Sequence, residues 1–304
     1  MTEILLPSII KIGGGSFQEA SATLVRLRCK RPLIVTDVFL AQQGLSERLR
    51  VQIEQTGIEC GIFSETVPDP TTDAVSEGVR VFMAGQHDSL VSLGGGSPID
   101  TAKAIGMLVA NGGRARDYKV PNQIPRRGPL HLAIPTTAGT GSEVTRFTVI
   151  TDSETEEKML IAGGALVPTA AIVDYELTLS MPARLTADTG TDSLTHAIES
   201  YVSRKANPFT DTFALAAMKT IWAELPTAFR EPGNRDARER MMLAATQAGI
   251  AFSNSSVARL HACRACLRFT SRLHFRPSRL KLQTVTIRRW RSFHPAECGI
   301  FSQY

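Results

Sequence analysis

The stretch DSLVSLGGGSPIDTAK, residues 88–103, decides the fold class. An apolar run typical of a buried strand ends in three glycines, and a helix start follows at Ser97 and Pro98. Glycines let a ligand approach the backbone closely, and a helix start offers unpaired N–H groups to a phosphate. The spacing matches neither G-x-G-x-x-G nor a P-loop. The stretch therefore predicts either a phosphate site or a tight strand-to-helix turn without a ligand.

The same alternation of strand and helix extends in both directions from this stretch, up to about residue 180. Apolar runs typical of strands occur at RPLIVTD (31–37), IECGIF (58–63), HLAIPTT (131–137), RFTVITD (146–152) and AAIVDYE (170–176). Helical patterns occur at 38–56, 73–85 and 98–109. This alternation predicts a parallel sheet with helices on both faces.

After Pro182 the pattern becomes entirely helical. Helices are predicted at 186–203, 211–225 and 235–252, with breaks at Pro208, Pro226 and Gly233. We therefore expect an α/β domain over residues 1–181, a partial all-helical domain over 182–258, and a separate tail over 259–304.

Composition excludes several classes of protein. Of 304 residues, 43% are apolar and 21% are charged, which is ordinary globular usage. No apolar run is long enough to span a membrane, and five cysteines make no disulfide framework, so we expect a cytoplasmic protein. The net charge of +5 comes from the tail, which contains nine arginines, one lysine and only one acidic residue. The first 258 residues are mildly acidic, so neither a nucleic acid nor a membrane is expected as a partner.

Three further features are candidates for chemistry. The loop PTTAGTGSEVT (135–145) places small donors after a strand, where open α/β sheets bind ligands, although it is also an ordinary polar loop. Asp37 ends a strand and is either an acid for a ribose or a helix cap. Asp192 and His196 lie on one face of a predicted helix. They are either ligands of a divalent metal or a simple hydrogen-bonded pair. His131 is predicted to be a surface or loop residue.

Four motifs together resemble the iron-containing (group III) alcohol dehydrogenase family. They are LGGGSPIDTAK (93–103), PTTAGTGSEVT (135–145), AIVDYELTLSMP (171–182) and TGTDSLTHAIESYVS (189–203). The resemblance runs from about residue 5 to His261. It implies a dinucleotide-binding α/β domain of the dehydroquinate synthase-like class, followed by an all-α metal-binding domain, here incomplete.

The resemblance also implies roles for individual residues. The cofactor-binding positions are Asp37, Gly94, Gly95, Gly96, Ser97, Asp100, Thr136, Thr137, Thr140, Ser142, Val144, Lys158 and Leu179. The catalytic metal ligands are Asp192, His196 and His261. Asp37 matches the position that favours NAD. The metal is typically iron(II), although zinc or manganese suits such donors.

The implied reaction interconverts a small alcohol and an aldehyde or ketone. A divalent ion polarises the alcohol oxygen, and hydride passes to C4 of the nicotinamide. Alternatives are a glycerol dehydrogenase-like or maleylacetate reductase-like enzyme of the same superfamily, or a chain that binds NAD without turnover. Family members often form homodimers through N-terminal strands, here EILLPSIIKIG (3–13).

The family pattern stops at the tail. His261 falls at the third ligand position, but Phe275 occupies the fourth and His274 lies one residue away. We interpret the arginine-rich tail as the product of a reading-frame break near residues 258–262, which resequencing the gene would test. A basic appendage and a metal site around Cys263 and Cys266 are the alternatives. With at most three ligands, we expect weak metal retention and little dehydrogenase activity.

Overall fold

The computed structural model describes residues 2–256. It contains eight strands, β1 Ile9–Ile12, β2 Pro32–Asp37, β3 Gly61–Thr66, β4 Ser89–Gly94, β5 Leu130–Pro135, β6 Phe147–Thr151, β7 Lys158–Ala162 and β8 Ala170–Val173. The α-helices of the same residues are α1 Ala20–Arg26, α2 Val38–Gln42, α3 Leu45–Glu54, α4 Thr72–Ala84, α5 Gly96–Asn111, α6 Ala183–Val202, α7 Pro208–Arg230 and α8 Arg235–Asn254. None of these helices is long and apolar enough to cross a membrane.

Six strands form a wholly parallel sheet in the order β1-β8-β5-β4-β2-β3. Buried apolar side chains cover both faces of this sheet, as a doubly covered parallel sheet requires. The fold class predicted from the sequence, an α/β sheet followed by helices, is confirmed.

The sheet changes winding direction between β2 and β4. The chain leaves β2 toward β3 on one side, and it leaves β4 toward β5 on the other. In open α/β sheets the crevice for a ligand lies at such a switch point, beyond the carboxyl ends of the strands. Val35 pairs with Ser92, so Asp37 and Gly94, two residues further along each strand, lie at this crevice.

The helical part shares its core with the sheet. Ile221 of α7 and Met241 of α8 belong to the same buried cluster as Ala171 and Val173 of β8. The two parts therefore meet through packed apolar side chains.

Several local predictions were wrong. The stretch 38–56 is two helices separated by Gly44, whose φ of 75° breaks the helical path. Pro226 lies inside α7, because burial of Ile221, Leu225 and Ala228 around it outweighs one lost backbone hydrogen bond. His131 lies in β5 and is only 6% exposed.

A second, two-stranded sheet lies outside the parallel sheet, and the sequence predicts only one of its strands. β6 pairs antiparallel with β7, and the pairing runs from Phe147 against Ala162 to Thr151 against Lys158. The sequence indicated the first of these strands alone, since antiparallel pairing depends on a partner that no local pattern names.

Candidate active site

The glycine turn, residues 94–96, lies at the crevice and has no room for side chains. Gly94 has a φ of 152°, and a Cβ there would lie 2.5 Å from Cγ of Pro98. A Cβ on Gly96 would lie 2.9 Å from Cγ2 of Thr140. Gly95 is the N-cap residue of α5, and no side chain there accepts a hydrogen bond from the first N–H groups of the helix. The first N–H groups of a 16-residue helix thus face the crevice, as anion binding requires.

The threonine loop, residues 135–145, lies directly beside this turn. The backbone N–H of Thr136 donates to the carbonyl of Gly94 at 3.0 Å. Thr137 and Thr140 are the side chains nearest to a Cβ built on Gly95 or Gly96. The structure therefore brings together the two segments that the sequence predicted to bind a dinucleotide.

Three predicted cofactor residues in these segments make contacts within the protein. Oγ of Ser142 donates to Oδ1 of Asp100 at 2.5 Å, and the N–H of Val149 donates to Oδ2 of Asp100 at 2.9 Å. Val144 is completely buried in the core shared with the helices. Direct contact of these residues with a cofactor stays a prediction, while their place in the loop's internal structure is observed.

The remaining predicted cofactor positions are spread around the crevice. Asp37 caps α2, since its Oδ1 accepts the N–H of Leu40 at 2.8 Å. Lys158 forms an exposed ion pair with Asp69 at 2.7 Å. Leu179 follows a short 3-10 helix and is partly buried. Of the two interpretations of Asp37, the cap is therefore present, and contact with a ribose stays a prediction.

Asp192 and His196 lie one turn apart on α6. Nδ1 of His196 is 4.0 Å from Oδ2 of Asp192, and the histidine ring lies 4.4 Å from the ring of Phe252. Between them, Ser193 donates from Oγ to the carbonyl of Gly139 at 2.6 Å. The face of α6 that carries the predicted metal ligands therefore contacts the threonine loop.

An oxygen donor and a nitrogen donor side by side suit iron(II) and similar divalent ions. Within residues 2–256, however, no group of three or more histidine, cysteine, aspartate or glutamate side chains is arranged to hold a metal. His261, the third predicted ligand, lies outside the described residues. The described part of the chain thus supplies two donors of the right chemistry and not a complete site.

Two buried charged residues, one beside the threonine loop and one within it, were missed by sequence reasoning. Lys103 and Glu143 are each 3% exposed, and Oε1 of Glu143 accepts the hydroxyl of Thr246 on α8 at 2.8 Å. Burial lowers the pKa of Lys103 to about 8, partly offset by Asp100 and Glu143, and burial raises the pKa of Glu143. The sequence signal was a lysine within the apolar run TAKAIGMLVA (101–110), where a solvent-facing residue is unexpected.

Comparison with known proteins agrees with this arrangement. Residues 7–175 match the family model of iron-containing alcohol dehydrogenase, and residues 186–268 match the model of the C-terminal part of the same family. An NAD-dependent methanol dehydrogenase from Bacillus methanolicus is 46% identical over 261 residues, which cover 86% of this chain and 68% of that protein. A 1,3-propanediol dehydrogenase from Klebsiella pneumoniae is 37% identical, over 86% of this chain and 68% of its own.

Solved structures give the same result. A 1,3-propanediol oxidoreductase superposes with a TM-score of 0.83 at 37% identity, over 86% of this chain and 69% of the other. A sulfoacetaldehyde reductase from Bifidobacterium kashiwanohense, in complex with NAD+, gives 0.82 at 33% identity, over 86% and 70%. Since the two family models match in order along one chain, this chain belongs to the iron-containing alcohol dehydrogenase family.

Proposed function

We propose that this chain binds NAD(H) in the crevice between β2 and β4 and belongs to the enzymes that interconvert a small alcohol and an aldehyde or ketone. One observation carries the proposal. The glycine turn and the threonine loop meet at the switch point of the sheet, and the loop is bonded to the helix that carries Asp192 and His196.

The residues around the crevice have distinct tasks in this proposal. The N–H groups at residues 94–97 bind the pyrophosphate, and Thr136, Thr137 and Thr140 orient the nicotinamide half. Asp37 selects NAD by accepting from the ribose hydroxyls and repelling a 2′-phosphate. Asp192 and His196 provide two ligands for iron(II), with His261 as a third. Bound there, the ion would polarise the oxygen of the alcohol.

The proposed domains are the NAD-binding part at 1–181, the helical part at 182–258 and the basic tail at 259–304. β1 is an edge strand of the sheet, and we propose it as the place where two copies pair.

A second candidate is NAD binding without turnover. It is favoured by the sequence, in which Phe275 stands at the position of the family's fourth metal ligand.

Calorimetric titration of the purified chain with NAD, followed by assays with short primary alcohols and added iron(II), tests both candidates. We expect NAD binding in either case, and iron-dependent turnover only for the enzyme. Gly96→Val should abolish NAD binding because its side chain meets Thr140, whereas Gly233→Val, which has open space around it, should not. A chain that binds no NAD would contradict both candidates.

A further inference from the structure

Lys103 is a buried cation whose ammonium donates hydrogen bonds to the segment 142–147. Its Nζ lies 2.8 Å from the carbonyl of Phe147, 3.0 Å from both the carbonyl and Oγ1 of Thr145, and 3.1 Å from Oγ of Ser142. An ammonium has three N–H donors, so these four acceptors use all of them. The side chain is therefore committed to the protein and does not extend toward a ligand.

Charged and titratable groups face this ammonium from three elements. Asp100 lies one turn earlier on α5, Glu143 lies in the segment itself, and His131 lies on β5. The two acids partly offset the desolvation of the cation, while burial holds His131 neutral, with a pKa of about 3. A second cation, Arg127, also acts on His131, so Lys103 is one of two positive charges in this cluster. The pKa of Lys103, about 8, makes its charge sensitive to mild alkali.

Lys103 also connects the two segments of the crevice. Its helix, α5, begins at Gly96 in the glycine turn, and the helix is a rigid body of 16 residues. The threonine loop is bonded to the turn at its start, through Thr136 and Gly94, and to Lys103 at its end. The distance between the turn and the far end of the loop therefore depends on Lys103, together with Asp100, which accepts the hydroxyl of Ser142 from the same helix.

We propose that Lys103 is a positioning residue for the dinucleotide, whose charged ammonium keeps the segment 142–147 at the correct distance from the glycine turn. The inference rests on the proposed function, because it assumes that NAD occupies this crevice. It assigns Lys103 an indirect role, in which it orders the loop that meets the cofactor.

Calorimetric titration of the full chain with NAD at pH 7 and pH 9 tests the inference on wild type and Lys103→Met. At pH 9 about a tenth of a lysine with a pKa near 8 keeps its proton, so the wild-type Kd should rise about fivefold, toward that of the neutral side chain. Lys103→Met should bind about tenfold more weakly at pH 7, and its Kd should not change with pH. A lysine that only stabilised the fold would change the melting temperature without this pH profile.

Arg238 provides the matched control. It is also a buried cation, 2% exposed, and it donates to Pro232 and Thr186 in the helical part. Arg238→Met should lower the melting temperature and keep the rise in Kd between pH 7 and pH 9. If Lys103→Met fails to fold, the variant Thr145→Val tests the inference in its place. It removes one acceptor and should raise the Kd about threefold.

The outcomes separate the two proposals. A wild-type chain that binds no NAD would overturn the proposed function and this inference with it. Wild-type binding that Lys103→Met or Thr145→Val leaves unchanged would overturn the inference alone.

Discussion

His131 illustrates how the surroundings of a single residue fix its chemistry. Its Nε2 lies 2.7 Å from Oγ of Ser92, and its backbone N–H donates to Oγ1 of Thr169. Burial, together with the positive charges of Lys103 and Arg127, lowers its pKa to about 3. The folded chain thus keeps this histidine neutral at pH values where an unfolded chain would protonate it, near 6.5 and below.

Acid should therefore destabilise the fold through His131. The unfolded state binds the proton from about pH 6.5 downward while the folded state does not, so stability is present above pH 6.5 and is lost as the pH falls toward 3. By pH 4.5 the loss is about 3 kcal/mol. We expect His131→Gln to lack this part of the pH dependence in urea unfolding measured at pH 7 and pH 4.5.

His87 is the control for this experiment. It is half-buried and donates from Nδ1 to the carbonyl of Arg31 at 3.1 Å, and burial also lowers its pKa. His87→Gln should remove a smaller part of the slope, because more solvent reaches this ring. Parallel pH profiles of wild type and His131→Gln would show that His131 is not held neutral.

At the scale of elements, the threonine loop lies between the sheet and two helices. Gly141 has a φ of 62°, and a Cβ built there would lie 2.6 Å from Cα of Gly249 on α8. A Cβ on Gly139 would lie 2.6 Å from Cβ of Thr189 on α6. Only glycine permits such close approaches, because any side chain would clash with the neighbouring helix. Contact with α6 and α8 therefore fixes the position of the loop.

Gly249→Ala should separate the loop from α8. The added methyl group would lie 2.8 Å from Cγ2 of Val144 and 2.9 Å from Cα of Gly141, and backbone does not yield as a flexible side chain does. We expect the free energy of unfolding to fall by about 1–3 kcal/mol in urea titration, and NAD binding to weaken because the loop shifts.

The control for this change is Gly233→Ala, where a Cβ meets nothing within 4 Å. Its free energy of unfolding should change by less than about 0.5 kcal/mol. Alanine is the better helix former by about 1 kcal/mol, so a Gly249→Ala chain that gained this much stability would contradict the close contact between loop and helix.

For the whole molecule, the α/β part and the helices share one buried apolar cluster. Ala138 and Val144 of the threonine loop share a buried cluster with Ala245 and Ala248 of α8. Across the same boundary, Asn254 at the end of α8 exchanges hydrogen bonds with the backbone of Leu5. A helical part that lost these contacts would expose apolar surface, so the two parts should not unfold separately.

Calorimetry should therefore show one unfolding transition for residues 2–256, with equal calorimetric and van't Hoff enthalpies. NAD at 100 times its Kd should raise the free energy of unfolding by about 2.7 kcal/mol across the whole transition. Nicotinamide at the same concentration is the control and should raise it far less. Two transitions, of which NAD shifts only one, would show that the helical part folds independently.

The sequence by itself determined the features that depend on neighbours along the chain. The glycine turn at residues 94–96, its helix start and the one-turn spacing of Asp192 and His196 follow from local geometry, and each is present in the structure. The change from alternating strands and helices to helices alone predicted the order of the two parts in the same way.

Only the tertiary structure decided which distant residues meet. The switch point between β2 and β4 depends on strand order, the burial of Lys103 and His131 depends on what covers them, and Pro226 stays helical because its neighbours are packed. Burial and close contact are properties of segments far apart in sequence. No local period encodes them, because their free energy arises only when both partners are in place.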